Sequence, residues 1–408
     1  NSSKISAMPS SDNPDDRVFQ ISCVFGTTDF TKVLLTLGNP LQSVVGNDVE
    51  ILTYKTEDQL LMGFTKLIQD RNPHVICGYN IFGFDLPYMI DRSKYPCACS
   101  RDFSKMGMNP TMISKDVEIS WSSSAYRDQC FRYLDAHGRL FIDLLPLIQR
   151  DYKFDNYKLS TVSTFFLGET KDPLSAQDIF RCYRSGMTGT EKGDNDMGIV
   201  GKYCVQDTVL VSLLYDKVQT WIGLCEMANT CNVPIFYLYT QGQQIKVFSQ
   251  IYKKCYNDKY VVEKDGYISS KDEQYTGATV FPPKPGVYDR VVPFDFSSLY
   301  PTTIIAYNID YSTLVTDSSI PDSMCNVIEW EDHVGCVHDN IVRATKPPCV
   351  ICKKYRYRFL KKPMGVMPSM LKYLLETRSK TKKEIKKIKA KIKSDDTLTD
   401  QEIADLNT

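Results

Sequence analysis

The chain has 408 residues, 42% of them hydrophobic, and its 49 basic and 49 acidic side chains cancel to a formal net charge of zero. That length predicts about two or three domains, each with enough apolar content for a core, and the balance excludes a disordered polyelectrolyte. An anionic partner would have to be met by local patches, because overall charge supplies no attraction.

The 14 cysteines follow no regular framework, and neither a cleavable leader nor an apolar run of spanning length is legible. A reducing, intracellular setting without a membrane is therefore expected. The sequence opens at Asn1 and closes on "DQEIADLNT", which reads as a helix cut in mid-course, so an internal piece of a longer protein is expected.

In chain order, "RVFQISCVFG" reads as a strand, "TEDQLLMGFTKLIQDRN" as a helix and "HVICGYN" as an apolar strand. "GRLFIDLLPLIQRDY" gives a strand running into a helix, and "YKLSTVSTFFLG" and "SAQDIFRCYRSG" give short helices. "GIVGKYCVQDTVLVSLLYDKVQTWIGLCEMANTC" reads as one long helix, so residues 1–235 form an α/β domain. "QGQQIKVFSQIYKKCYN" is helical, and strands and the turn-rich "YTGATVFPPKPGVYDR" follow it. "RVVPFDFSSLYPTTIIAYN" then opens a second domain as a strand entering a helix. The ending is predicted as an antiparallel helical hairpin, with "PSMLKYLLETRSKTKKEIKKIKAKIK" as its first arm and a capping box at Thr399–Glu402 opening the second.

Several carboxylates stand where chemistry is expected. In "GYNIFGFDLPYMI", Asp85 follows Asn80 at a strand's carboxyl end, where α/β domains place working residues. The same pattern also suits a turn at Asn80 and an N-cap at Asp85 for a helix starting at Leu86 and Pro87. In "YCVQDTVL", Tyr203 and Asp207 share one helix face. A phenol and a carboxylate there could orient a water and bind a cation, as phosphodiester hydrolysis needs, or form an ordinary helix surface. In "FDFSSLYPTT", Asp295 ends a predicted buried strand, where an isolated carboxylate is costly unless a cation or donors meet it.

Two basic or soft-ligand clusters follow. Arg378 and Lys382 lie one helical turn apart beside an apolar stripe of Leu371, Leu374, Leu375, Ile385, Ile388 and Ile392. Cys336, His338, Cys349 and Cys352 have a spacing that could hold zinc tetrahedrally or leave reduced cysteines in a basic loop.

Taken in order, these stretches resemble the family B DNA polymerases, the replicative enzymes of eukaryotes and large DNA viruses. "YNIFGFD" resembles the second exonuclease motif and "YCVQD" the third, while "DFSSLYP" resembles polymerase motif A. "YTGATV" resembles the Tyr-x-Gly-Gly/Ala element that contacts the template strand. The resemblance implies a ribonuclease H-like 3′–5′ exonuclease domain over residues 1–235. It implies a connector and the start of an α+β palm over 236–360, and the start of a fingers helical hairpin over 361–408.

It also implies roles. Asp85 and Asp207 would bind magnesium at the exonuclease site, with Tyr203 positioning water and Asn80 contacting DNA. Asp295 would bind two magnesium ions at the polymerase site with help from the Phe296 carbonyl. Tyr300 would stack under the incoming sugar, and Ser298, Leu299, Arg378 and Lys382 would join it in holding the nucleotide. Tyr275 and Gly277 would contact DNA. Primer–template DNA and deoxynucleoside triphosphates are the expected partners, with a sliding clamp or other processivity factor, in the host nucleus or a cytoplasmic viral replication site.

By the same resemblance, the first exonuclease motif, Asp-x-Glu, would lie before Asn1, and the second metal-binding Asp of the polymerase site beyond Thr408. "GYNIFGFD", "IQRDYK" and the Cys/His segment lean towards polymerases of large nucleocytoplasmic DNA viruses, with the cellular delta type as the alternative source. A catalytically inactive DNA-binding scaffold subunit and a stand-alone exonuclease are the rival functions. The second would leave motif A and the Arg378–Lys382 pair without a purpose.

Overall fold

A computed structural model describes residues 9–26, 30–123, 127–168, 174–262, 280–332 and 353–394. The chain divides into two units, Asn1–Lys246 and Val247–Thr408.

The first unit opens with β1 (Gln20–Phe25), β2 (Thr31–Leu37), the short α1 (Gln42–Val45) and β3 (Val49–Tyr54). β2 is the middle strand, antiparallel to β1 and parallel to β3. Its run "VLLTL" is buried throughout, as a strand covered on both faces should be. Val33, Leu35 and Leu37 join the main core with α2 (Glu57–Arg71), whereas Leu34 points the other way into a smaller cluster with Val45, Val49 and Val205. α2 buries Leu60, Leu61, Phe64, Leu67 and Ile68, one stripe at helical spacing.

Next come β4 (Val75–Gly78), a π-turn at Ile81–Asp85, α3 (Leu86–Lys94) and α4 (Ser100–Phe103). An antiparallel ribbon of β5 (Lys115–Ser123) and β6 (Arg127–Asp135) precedes β7 (Leu140–Asp143), which pairs in parallel with β4. The helices α5 (Leu144–Asp151), α6 (Leu159–Leu167), α7 (Ala176–Gly186), α8 (Glu191–Lys217), α9 (Thr220–Cys231) and α10 (Tyr237–Thr240) follow. α11 (Gln243–Asn257) runs through the boundary between the units.

α8 is the helix that organises this unit, packing on β1, β2 and β4. It comes close because Gly201 faces β2, where a Cβ would stand 2.7 Å from Leu34 Cδ2 and 3.2 Å from Val45 Cγ2. By length and apolarity α8 would qualify as a membrane span, contrary to the expectation that no such run exists. Val200, Val205, Leu210, Val211 and Leu214 are nevertheless buried inside this unit. The long helix expected around it is also two helices. The chain turns at Val218–Gln219, with Gln219 at φ 52°, before α9 begins.

The core holds a buried ion pair between Arg92 and Glu57. Arg92, fully buried, donates from Nη2 to Glu57 Oε2 at 2.5 Å and from Nε to Glu57 Oε1 at 2.8 Å. Its remaining N–H groups reach the carbonyls of Ser11, Asn13 and Pro14, so every face of the guanidinium is occupied.

In the second unit, α12 (Leu299–Tyr307), an antiparallel ribbon of β8 (Cys325–Asp332) and β9 (Lys353–Leu360), and α13 (Val366–Ser394) are formed. The buried Asn308, left-handed at φ 54°, ends α12. Its amide donates to Leu360 O at 2.7 Å and Pro363 O at 2.8 Å and accepts from Gly365 N at 2.9 Å. Asp310 accepts from the N–H groups of Val366 and Met367, at 3.1 and 3.2 Å, which satisfies orphan donors at the start of α13.

The strand expected at "RVVPFDF" is not formed: residues 291–296 carry no regular secondary structure and pair with no strand among the described residues. A strand needs neighbours for its N–H and C=O groups, and Val291, Val292, Phe294 and Phe296 are all exposed, with no covering layer among the described residues. The first arm of the expected helical hairpin is α13, and its second arm lies outside the described residues.

Candidate exonuclease site

β1 and β4 face each other across a cleft of about 810 Å³, lined along its length by both strands and by α8. β1 pairs only with β2 and β4 only with β7, so the two edges facing the cleft carry no strand partner among the described residues. Asp85 and Asp207, separated by more than a hundred residues of sequence, both line this cleft.

Asp85 is delivered by the turn after β4. Asn80, left-handed at φ 63°, accepts from Gly83 N at 3.2 Å and Phe84 N at 3.0 Å, closing the turn the sequence predicted. Gly83 has no room for a side chain, since a Cβ would stand 2.5 Å from Asn80 Oδ1. Phe82 is only 1% exposed and packs among Phe131, Tyr133, Phe236 and Tyr239, with ring centroids 5.6–6.4 Å away. Its neighbours Phe84 and Asp85 are left on the cleft side.

The capping alternative for Asp85 fails: it stands before α3 but makes no side-chain cap hydrogen bond. Its carboxylate is open to the cleft yet crowded by the walls. That desolvation, with the negative charge of Asp143 nearby, pushes it up to about 6 despite a backbone hydrogen bond that favours the charged form. A site that disfavours bare carboxylate charge in this way suits a cation, which would restore it.

Asp207 comes from α8, held over the β1–β4 gap by the close packing at Gly201. Its Oδ1 is buried. Tyr203, one turn earlier, lines a separate small pocket with Ser43, Val44, Leu174, Ile199 and Lys202, so it is not brought into the cleft with the two acids.

Asp143 was not singled out in the sequence. It ends β7, is 2% exposed, and accepts from Asn80 N at 2.7 Å and Leu145 N at 3.0 Å through Oδ1, and from Phe82 N at 3.1 Å through Oδ2. Burial pushes its carboxyl up to about 6, while the same N–H groups pull it down. The signal for it was present: an Asp between an apolar strand and "LLPL" is an N-cap pattern, and Asp143 does cap α5.

In the second unit, Asp295 and Phe296 lie exposed on the irregular segment before α12. Ser298 is left-handed at φ 54° and opens the helix, and Leu299 and Tyr300 are exposed in its first turn. Arg378 and Lys382 lie on the exposed surface of α13, one turn apart as predicted. Tyr275, Gly277, Cys336, His338, Cys349 and Cys352 lie outside the described residues. Among the described residues no cluster of three or more His, Cys, Asp or Glu stands ready to hold a metal ion.

The first unit is thus an α/β domain with carboxylates gathered at the carboxyl end of β4 and on the helix beside it. The exonuclease-domain model of DNA polymerase family B matches residues 2–162 and the DNA polymerase family B model matches residues 233–404, with Asp207 between the two stretches.

The chain belongs to the family B DNA polymerases, whose polymerase and exonuclease chemistry uses divalent metal ions. It is 46% identical over 433 residues to DNA polymerase 120R of Invertebrate iridescent virus 3, an alignment covering 96% of this chain and 38% of that protein. It is 36% identical to a DNA polymerase of Red sea bream iridovirus, over 92% of this chain and 42% of that protein. With the DNA polymerase delta catalytic subunit of Candida albicans the identity is 32%, over 86% of this chain and 31% of the relative. The chain therefore spans well under half the length of these relatives.

Proposed function

We propose that the chain is part of a DNA-directed DNA polymerase that extends a primer with deoxynucleoside triphosphates and removes misincorporated 3′ ends, in DNA replication of a viral genome. The observation that carries the reading is the meeting of Asp85 and Asp207 in one cleft, from two motifs distant in sequence. Residues 1–235 form the proofreading part, 236–360 the connector and palm start, and 361–408 the fingers.

At the exonuclease site Asp85 and Asp207 would hold magnesium, which when bound would supply water activation and stabilise the charge developing on the phosphodiester. Asn80 would hold the strand end, and Tyr203, one turn before Asp207 on the same helix, would position the water. The β1 and β4 edges leave a seat for a further strand, and an Asp-x-Glu strand there would supply the remaining acids. At the polymerase site Asp295 would supply one carboxylate to the catalytic magnesium ions, with help from the Phe296 carbonyl. Ser298, Leu299 and Tyr300 shape the nucleotide pocket, and Arg378 and Lys382 grip the triphosphate, Arg as a planar fork and Lys as a point charge.

Tyr275 and Gly277 would contact the template, Cys336, His338, Cys349 and Cys352 would either hold a structural zinc or stand as reduced cysteines in a basic loop, and a processivity factor would retain the enzyme on DNA within an infected cell.

The test uses the protein expressed from its full reading frame on a primer–template. Extension with all four triphosphates, 3′ shortening without them, and loss of both on chelation are expected. A protein that binds DNA but does neither would replace this reading with the inactive scaffold.

A further inference from the structure

Asp143 lies off the cleft, yet it holds the part of the chain that enters it. We propose that Asp143 is a positioning residue of the exonuclease site: its two buried oxygens gather the N–H groups of Asn80 and Phe82 and so fix the turn that aims Asp85 into the cleft. The inference rests on the exonuclease reading above and goes beyond it, because it assigns a role to a residue outside the recognised motifs.

The geometry separates two jobs in one carboxylate. Oδ1 takes Leu145 N at 3.0 Å and so caps α5, and the same atom takes Asn80 N at 2.7 Å. Oδ2 is turned away from the helix, to Phe82 N at 3.1 Å. A helix needs only a single oxygen for its cap. The second oxygen serves the turn. It acts beside Phe82, whose ring is locked in the aromatic cluster, so the segment from Asn80 to Phe82 is fixed by its backbone and by its side chain.

Asp85 follows three residues after the tethered Phe82, in the same π-turn. A π-turn is rare and concentrated at functional sites, and an isolated one does not persist without outside support. β4 and β7 are paired in register at Gly78 and Asp143, which places this support directly beside the start of the turn. Supports of this kind, one shell removed from the reacting groups, typically carry about 10- to 100-fold in metal affinity or activity.

Two variants separate positioning from capping. Asp143→Asn keeps an oxygen for Leu145 and Asn80 but turns an amide donor towards the Phe82 N–H. Asp143→Ser keeps a helix cap and is too short to reach the turn. In the full-length protein, both are expected to fold and extend primers at the wild-type rate. Their exonuclease kcat is expected to fall about 10- to 100-fold with KM for DNA unchanged, and the magnesium concentration giving half-maximal excision to rise.

Wild-type kcat and magnesium dependence in either folded variant would overturn the proposal. So would a change in KM alone. The underlying reading fails differently: if the wild-type protein shows no excision, or Asp207→Ala still excises, the site itself is not an exonuclease. Full excision by Asp143→Asn alongside an inactive Asp207→Ala would sink only the positioning role.

Discussion

Two acidic motifs meet opposite fates in this molecule. Asp85 follows a strand with a paired neighbour, on a turn anchored by Phe82 and Asp143, and shares a cleft with Asp207. Asp295 lies on an exposed, unpaired segment with Phe294 94% exposed beside it. The difference is one of context, since both motifs put an Asp after an aromatic residue at the end of an apolar run. A carboxylate site is assembled where a sheet edge and a packed helix position it, and a motif alone does not supply those neighbours.

The comparison can be broken most forcefully in the core of the first unit. Glu57→Ala would leave the fully buried Arg92 without its carboxylate, and a loss of about 3–5 kcal/mol is expected, read as a lowered denaturation midpoint. Phe82→Ala should cost about 3–5 kcal/mol as well, through the cavity it opens, and should lower excision because the turn loses its anchor. A stability change under 1 kcal/mol for Phe82→Ala would show that the aromatic cluster does not hold the loop. In contrast, Phe294→Ala should change stability of the present chain by no more than about 0.5 kcal/mol, because its ring has nothing to lose. A large loss there would mean the motif A segment is packed after all.

A smaller effect concerns charge. With a folded pKa of about 6 against an ordinary value of 3.8, Asp85 binds more protons in the native state than in the unfolded state between those values. The contribution of Asp85 to stability therefore falls as pH rises through that window and stays lowered above it. Without divalent metal, Asp85→Asn is expected to flatten part of that slope and to melt higher than wild type at pH 7.5. Asp143, also raised to about 6, keeps the rest of the slope. An Asp85→Asn variant that melts no higher than wild type at pH 7.5 in chelator would contradict the desolvation of the site.

Much of the first unit was legible because its elements carry clean periodicity. α2, β4, β7 with α5, and α7 with its Ser175–Asp178 capping box all fall where the sequence placed them. The break between α8 and α9 was not, since Gln219 has no intrinsic preference for the left-handed region and tertiary packing puts it there. The meeting of Asp85 with Asp207 could be suspected from motif order, but the cleft between the β1 and β4 edges depends on pairings that sequence does not display. Asp143 was missed for a related reason. Its strand register beside Gly78 links it to the turn, and nothing local to "LFIDLL" reports that pairing. In the second unit, the apolar run before Asp295 has the composition of a strand but no strand partner among the described residues, and composition could not reveal that.

The central claim is that the two acidic motifs serve two separate sites. The most direct measurement compares Asp207→Ala and Asp295→Ala in the full-length protein, following primer extension and 3′ excision on the same labelled substrate. Asp207→Ala is expected to abolish excision and retain extension, and Asp295→Ala to do the reverse. Loss of both activities in either properly folded variant would contradict the two-site account.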